Sequence, residues 1–140
     1  MLDNEWANLA RHRLETALED YKTAAKMLEN DLYRGANNRA YYSILHSMRA
    51  VLALEEKDFK KHSALISYFR MNYIKSGVFD RIHSDIITES SKIRNASDYD
   101  DFYIADKAET EQLVESAKVF YDAVSEYLEN RFNESATGEK

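Results

Sequence analysis

The sequence predicts an all-α protein folded as an antiparallel up-and-down bundle of four to five helices. It contains no proline and only three glycines, whereas the strong helix formers alanine, leucine, glutamate and lysine are abundant. Apolar residues recur at intervals of three and four along most of the chain, and no segment reads as a run of strands. Two long helical patterns flank shorter ones with brief connections, so an up-and-down bundle is the natural way to bury the apolar faces.

The first two helices are predicted in the amino-terminal part of the chain. Apolar and small residues repeat at helical spacing from Trp6 to Leu28, and the polar run 29–31 ends this first helix. A second helix is predicted from about Ala36 to Leu54.

Three further helices are predicted after a basic turn at residues 57–61. Gly77 terminates the third helical pattern, because glycine readily adopts the left-handed conformation that caps many helices. The fourth helix is predicted from about Phe79 to Arg94. Residues 95–103 are rich in Asn, Ser and Asp and predict a loop, after which a long last helix carries apolar residues through Leu128.

The composition indicates one domain. A chain of 140 residues can bury a conventional core. Because the sequence has no repeats and no Pro/Gly linkers, we expect a single domain over residues 1–132. The polar residues 133–140 are expected to form a frayed tail. The lack of cysteine excludes a disulfide scaffold and a thiolate site, and it fits a reducing cytoplasm. No run approaches a membrane span and the amino terminus has no hydrophobic stretch, so we expect a soluble, unprocessed, cytoplasmic protein with no membrane partner.

Charge is distributed unevenly along the chain, whose formal net charge is −6. Residues 34–61 carry six cationic and three anionic side chains, whereas residues 95–115 carry one cationic and seven anionic side chains. A general nucleic-acid binder would spread basic charge more widely, so any anion site is expected to be local.

Four residues of the second predicted helix form what we call the arginine stripe: Arg39, Tyr42, His46 and Arg49. Their spacing places them on one helical face, opposite an apolar face. Guanidinium groups match phosphate, tyrosine is a neutral donor, and imidazole carries a proton near neutral pH. The stripe could therefore hold an anion, or its residues could satisfy one another and acidic residues of neighbouring helices.

A second segment adds another arginine where the fourth predicted helix meets the acidic loop. It consists of Arg94, Asn95, Asp98 and Tyr99. Arg94 could simply form a salt bridge that stabilises the loop, or it could converge with the arginine stripe on a common polar cleft. Two convergent arginine groups would be costly to assemble for structure alone, so convergence tests the anion site, and we predict that Arg94 and Arg39 converge.

No metal or other cofactor is expected. The four histidines lie on separate segments without a second histidine at i+3 or i+4. The aspartates between positions 98 and 106 lack the central glycine and terminal glutamate of a helix-loop-helix calcium site. The serines lie in no nucleophile elbow, and there is no glycine-rich phosphate loop.

At these residues the chain resembles the HEPN superfamily, a helical domain found in prokaryotic nucleotide-binding proteins and in many toxin and defence systems. The similarity spans about Trp6 to Leu128 and is greatest to stand-alone members with an Arg-x-x-x-Asp-Tyr segment. The resemblance implies a bundle of four or five helices that dimerises with its polar motif at the subunit groove and often pairs with a small nucleotidyltransferase. The ordered matching segments are Arg39-Ala40-Tyr41-Tyr42, Leu45-His46, Arg49-Ala50, Lys61-His62-Ser63, Phe69, Lys75-Ser76-Gly77, and Arg94 with Asp98-Tyr99.

The resemblance also implies what the chemistry would be. Catalytic members are metal-independent endoribonucleases with an Arg-x(4–6)-His motif, in which histidine handles the 2′-hydroxyl proton and arginine steadies the phosphate. In this chain the candidate positions after Arg94 are Tyr99, Asp100 and Asp101, none of which is histidine. Arg39 and His46 fit the spacing, but they lie on the second helix.

We therefore expect a HEPN-like protein that binds a nucleotide or RNA phosphate, has little or no ribonuclease activity, and acts with a nucleotidyltransferase in a toxin-antitoxin or defence-type module. The expected ligand-binding residues are the arginine stripe and the four residues of the Arg94 segment. One alternative is an endoribonuclease toxin, with Arg94 and His46 as its catalytic candidates. The other is a bundle that serves only assembly. Whichever function holds, we expect a homodimer, because helices rich in Tyr, Phe and Met on more than one face carry more apolar surface than one core can bury.

Overall fold

The structure, a computed structural model, describes residues 4–138 and contains five α-helices within that range. They are α1 (Asn4–Glu29), α2 (Tyr33–Ala53), α3 (His62–Phe69), α4 (Ile82–Tyr99) and α5 (Lys107–Gly138), and a π-helical turn, Arg70–Ile74, continues α3. No strand occurs among the described residues. The predicted all-α bundle is confirmed.

Helix α2 lies at the centre and packs against α1, α4 and α5. Small residues allow its close approach to α1: Ala10, Ala17 and Ala24 recur every seven residues and are fully buried. Ser43 of α2 donates a hydrogen bond from its hydroxyl to the carbonyl oxygen of Ala17, with an O···O distance of 2.8 Å. The α1–α2 interface is thus built on small side chains, which place two backbones close enough for polar side chains to meet at its edge.

Aromatic rings fill the part of the core between α3 and α5. Phe69 of α3 and Phe120 of α5 are fully buried, with ring centroids 5.9 Å apart. The ring of Phe69 also stacks on Tyr73 and on Phe79, each at 5.4 Å between centroids. This cluster joins α3, the π-helical turn and α5, so it holds the short helices against the long ones.

Several helix boundaries differ from the sequence-based predictions. The loop predicted for residues 95–103 is wrong in its first part, since α4 continues to Tyr99. Arg94 pairs with Asp98 one turn later, and a hydrogen bond of 3.1 Å joins the buried Asn37 amide to Ser97. These contacts outweigh the weak helix propensity of Asn, Ser and Asp.

The other differences are smaller. Helix α2 begins at Tyr33 instead of Ala36, and α4 begins at Ile82 instead of Phe79. The predicted left-handed cap at Gly77 is confirmed by its φ of 92°. Helix α5 reaches Gly138, so the expected polar tail begins inside this helix, and its last two residues lie outside the described part of the chain. Among the described helices, none combines the length and apolar character needed to cross a membrane.

Candidate functional site

Polar side chains from four helices meet on the face of α2 that carries the arginine stripe. Asp20 comes from α1, His62 opens α3, and α4 contributes two residues near its carboxyl end. We call the following seven residues the polar cluster: Asp20, Arg39, Tyr42, His46, His62, Arg94 and Asp98.

Arg94 is held by one hydroxyl, one carboxylate and three aromatic rings. Its Nη2 donates to the Tyr42 hydroxyl at 3.1 Å and its Nε donates to Asp98 Oδ2 at 3.0 Å. Its Cζ lies 5.1, 5.6 and 5.3 Å from the ring centroids of Tyr41, Tyr42 and Tyr99. Burial opposes the charged form, but the neighbouring tyrosines and Asp98 raise the pKa of Arg94 overall. The guanidinium group is therefore a permanent, well-positioned cation.

Arg39 contacts the same tyrosine. Its Nη1 donates to Asp20 Oδ1 at 3.0 Å, and its Cζ lies 5.0 Å from the Tyr42 ring centroid. Its Nε and Nη2 both donate to Asn38 Oδ1, while the Asn38 amide donates to Asp98 Oδ2 at 2.9 Å. Asn38 thus links the carboxylate that holds Arg94 to the guanidinium of Arg39, and the two arginines converge as the sequence predicted.

His46 lies beside Asp20 without forming a hydrogen bond. Its Nε2 is 3.8 Å from Asp20 Oδ2, a buried oxygen with no hydrogen-bond partner among the described residues. Burial, together with Arg49, Arg13, Arg39 and His62, lowers the pKa of His46 to about 4. The imidazole is therefore neutral at neutral pH. Burial raises the pKa of Asp20, although Arg39 opposes this shift.

A second imidazole, that of His62, also lies close to Tyr42. His62 Nδ1 lies 3.1 Å from the Tyr41 hydroxyl, and its ring centroid is 5.9 Å from that of Tyr42. The His46 ring centroid is 6.1 Å from the same tyrosine. Burial, Arg94 and Arg49 lower the pKa of His62. Two neutral imidazoles therefore flank one tyrosine in a cationic environment.

Arg49 lies at the margin of the polar cluster and is held by another acid. Its Nη2 donates to Asp58 Oδ1 at 3.1 Å, and Arg13 donates to the other oxygen of the same carboxylate at 3.2 Å. Burial would raise the pKa of Asp58, but these two arginines lower it overall. Arg49 Nε is buried without a hydrogen-bond partner among the described residues. Arg49 therefore acts on His46 through its charge.

The structure brings most of the predicted binding residues together. Arg39, Tyr42, His46, Arg94 and Asp98 form the centre, and the Tyr99 ring lies against Arg94. Asn95 is exposed and takes no part in the hydrogen-bond network that the structure describes. The role of all these residues in ligand binding stays a prediction.

Sequence reasoning missed Asp20, Asn38 and the position of His62. One signal pointed to Asp20: it follows Ala17 by three residues and precedes Ala24 by four, so it falls on the buried face of α1. A carboxylate on such a face needs a partner, because an unpaired buried charge is costly. The family resemblance already included His62 in the segment Lys61-His62-Ser63, but its contacts with Tyr41 and Tyr42 depend on how α3 docks. Within the described residues, no group of three or more His, Asp or Glu is arranged to hold a metal ion.

Comparisons with known proteins agree with this fold. The family model of the HEPN domain matches residues 10–127, so the chain belongs to the HEPN family. Two relatives from Methanocaldococcus jannaschii carry the name "putative toxin". The first is 35% identical over 82% of this chain and 85% of its own length. The second is 28% identical over 82% of this chain and 78% of its own length. A UPF0332 protein of Thermotoga maritima is 24% identical over 86% of this chain and 89% of its own length.

Proposed function

We propose that this HEPN protein binds a phosphate group of RNA or of a nucleotide at the polar cluster, and that it works with a small nucleotidyltransferase in a toxin-antitoxin or defence-type module. The observation that carries the binding proposal is the convergence of Arg39 and Arg94 on Tyr42. The toxin names of two relatives support the type of module.

The contacts of the cluster suit a phosphate ester. The Tyr42 hydroxyl accepts a hydrogen bond from Arg94, which leaves its own proton free to be donated to a phosphate oxygen. Arg94 Nη1 has no hydrogen-bond partner among the described residues and can donate to the same group. The ring of Tyr99 lies against Arg94 and is 69% exposed, so a base attached to the phosphate can stack on it.

The same geometry argues for binding with little catalysis. Cleavage through the 2′-hydroxyl needs a base with a pKa near the working pH, and the pKa of His46 is about 4. Such a base is neutral and available at pH 7, but it attracts the proton only weakly.

Anisotropy of a fluorescein-labelled single-stranded RNA of about ten nucleotides, titrated at several salt concentrations, tests the proposal. Because two arginines contact the phosphates, we expect the logarithm of the binding constant to fall with the logarithm of the salt concentration, with a slope of about −1.4. Binding with no dependence on salt would overturn the assignment of the arginines.

A second candidate function is a metal-independent endoribonuclease, favoured by the two imidazoles that flank Tyr42. Incubation of the same RNA in excess EDTA separates the two functions, and we expect weak cleavage or none. His46→Ala and His62→Ala are the informative variants, and His12→Ala, which alters an exposed histidine of α1, is the control. Rapid cleavage that disappears in His46→Ala and persists in His12→Ala would replace the binding function by the ribonuclease.

We also propose a homodimer formed through the connection between α4 and α5. Phe102 and Ile104 are 93% and 88% exposed there, and two such large apolar side chains close together in the chain offer a patch that a second copy can cover. We expect light scattering at micromolar concentration to report a dimer, with a buried interface above ~1,000 Å². Phe102→Glu combined with Ile104→Glu should yield a monomer, whereas Val119→Glu, which alters a half-exposed residue within α5, should not. A monomeric unmodified protein would contradict the proposal.

Any small nucleotidyltransferase encoded by a gene next to this one is the partner to test. We expect it to co-purify with this protein when both are produced together, and failure to do so would remove the partner from the proposal.

A further inference from the structure

We propose that a second site, formed by the π-helical turn and the start of α4, binds a small phosphate ester with an apolar body. A cavity of about 630 Å³ lies there, within the range of 300–1,000 Å³ typical of small-molecule sites. Three cationic side chains, Arg70, Lys75 and Arg81, line it together with apolar Met71 and Ile74.

The charge of Arg70 is positioned but not neutralised. Its Nε donates to Ser84 Oγ at 3.1 Å, and its Nη2 donates to the Ser84 carbonyl oxygen at 3.1 Å and to Thr88 Oγ1 at 2.5 Å. All three acceptors are neutral, so no carboxylate offsets the positive charge of the guanidinium. In the polar cluster, by contrast, each arginine is paired with a carboxylate.

The other two cations are also uncompensated. Lys75 and Arg81 are exposed, and within the described residues neither forms an ion pair. No acidic side chain lines the cavity. The acids nearest in sequence are engaged or face elsewhere: Asp80 accepts a hydrogen bond from the backbone N–H of Ile82, and Asp85 lines a different groove between α4 and α5. Three positive charges therefore share one cavity.

The π-helical turn forms one wall of the cavity, and this wall combines charge with apolar surface. The backbone N–H of Lys75 bonds the carbonyl oxygen of Arg70 at 2.8 Å, which is the i→i+5 pattern of a π-helix, a feature common at functional sites. Met71 is 58% exposed on this wall, although Tyr73, two residues later, is buried in the core. The wall thus presents apolar surface beside the cations.

These features define the class of ligand. Three cations around one cavity match the double negative charge of a phosphate monoester better than the single charge of a carboxylate. Met71 and Ile74 would contact the apolar part of the molecule. The site is separate from the polar cluster, because Ser84 and Arg94 lie ten residues apart on α4, a rise of about 15 Å.

Two-dimensional ¹H–¹⁵N NMR of the full chain with phenyl phosphate tests the inference. We expect saturable shifts at the amides of Met71, Lys75 and Ser84. Phenol, which lacks the phosphate, should bind at least tenfold more weakly. Lys75→Gln combined with Arg81→Gln should weaken phenyl phosphate binding at least tenfold while the rest of the spectrum stays unchanged.

Lys92→Gln, which removes one exposed cation elsewhere on α4, is the control and should bind normally. Equal binding of phenol, an equal loss in Lys92→Gln, or shifts confined to the surroundings of Arg94 would each overturn the second site. The last outcome would leave phosphate binding at the polar cluster intact, so the two proposals fail separately.

Discussion

Replacing both Arg39 and Arg94 by glutamine should weaken RNA binding about a hundredfold. Hydrogen bonds to charged groups are each worth about 1.5–3 kcal/mol, so losing one from each arginine removes about 3 kcal/mol, which corresponds to about two factors of ten in affinity. Each single variant should lose about tenfold. In the double variant, the salt dependence of binding should nearly vanish, because no arginine of the polar cluster is left to contact the phosphates. The anisotropy titration of the labelled RNA measures all of these quantities.

The control for this experiment removes two positive charges outside the polar cluster. Lys22→Gln combined with Lys92→Gln alters two exposed lysines, and we expect its affinity to fall by less than threefold. Equal losses in the two double variants would contradict a localised site. Arg39→Gln leaves the buried Asp20 carboxylate without its cationic partner. This variant should therefore be compared with Arg39→Gln combined with Asp20→Asn, in which the buried negative charge is also removed.

Acidification should destabilise the protein through His46. The pKa of this imidazole is about 4 in the folded state and about 6.5 in an unfolded chain. Between these values the unfolded state binds a proton that the folded state does not, so the free energy of unfolding decreases as the pH falls from 6.5 to 4. The full shift corresponds to about 3 kcal/mol, and about 2 kcal/mol remains after allowing for solvent at this partly exposed side chain.

Urea unfolding at pH 7, 6, 5 and 4.5 measures this loss. His46→Gln should remove about 2 kcal/mol of the pH dependence, whereas the control His12→Gln should keep that of the unmodified protein. His62 acts in the same direction, since its pKa is also lowered. Asp20 acts in the opposite direction, because a carboxyl group with a raised pKa gains stability on acidification. If His46→Gln shows the same pH dependence as the unmodified protein, His46 is not the group responsible.

Ligand binding should shift the protonation equilibrium of His46. A bound phosphate would place negative charge near His46, favour its protonated form, and allow that form to donate to the unpartnered oxygen of Asp20. Without a bound phosphate the His46 imidazole is neutral. When it becomes protonated, Asp20 Oδ2 can accept a hydrogen bond from it.

Part of the site could be predicted from local spacing alone. Arg39, Tyr42, His46 and Arg49 had to share a face once α2 formed, because the geometry of a helix converts spacing directly into direction. The end of α4 was less predictable. Residues 95–99 have the composition of a loop, yet they are helical because the pair Arg94–Asp98 and the buried contact of Ser97 stabilise another turn.

The sequence by itself determined the helical class of this protein, its HEPN pattern and the polar face of α2, since each depends on residues close together in the chain. Only the tertiary structure decided that Asp20 meets Arg39 and His46, and that His62 and Arg94 both contact Tyr42. These residues come from four helices, and no spacing relates the residues of one helix to those of another. Their distances depend on the register of α1 and α4 against α2, which is set by small buried side chains such as Ala17 and Ser43 packing together.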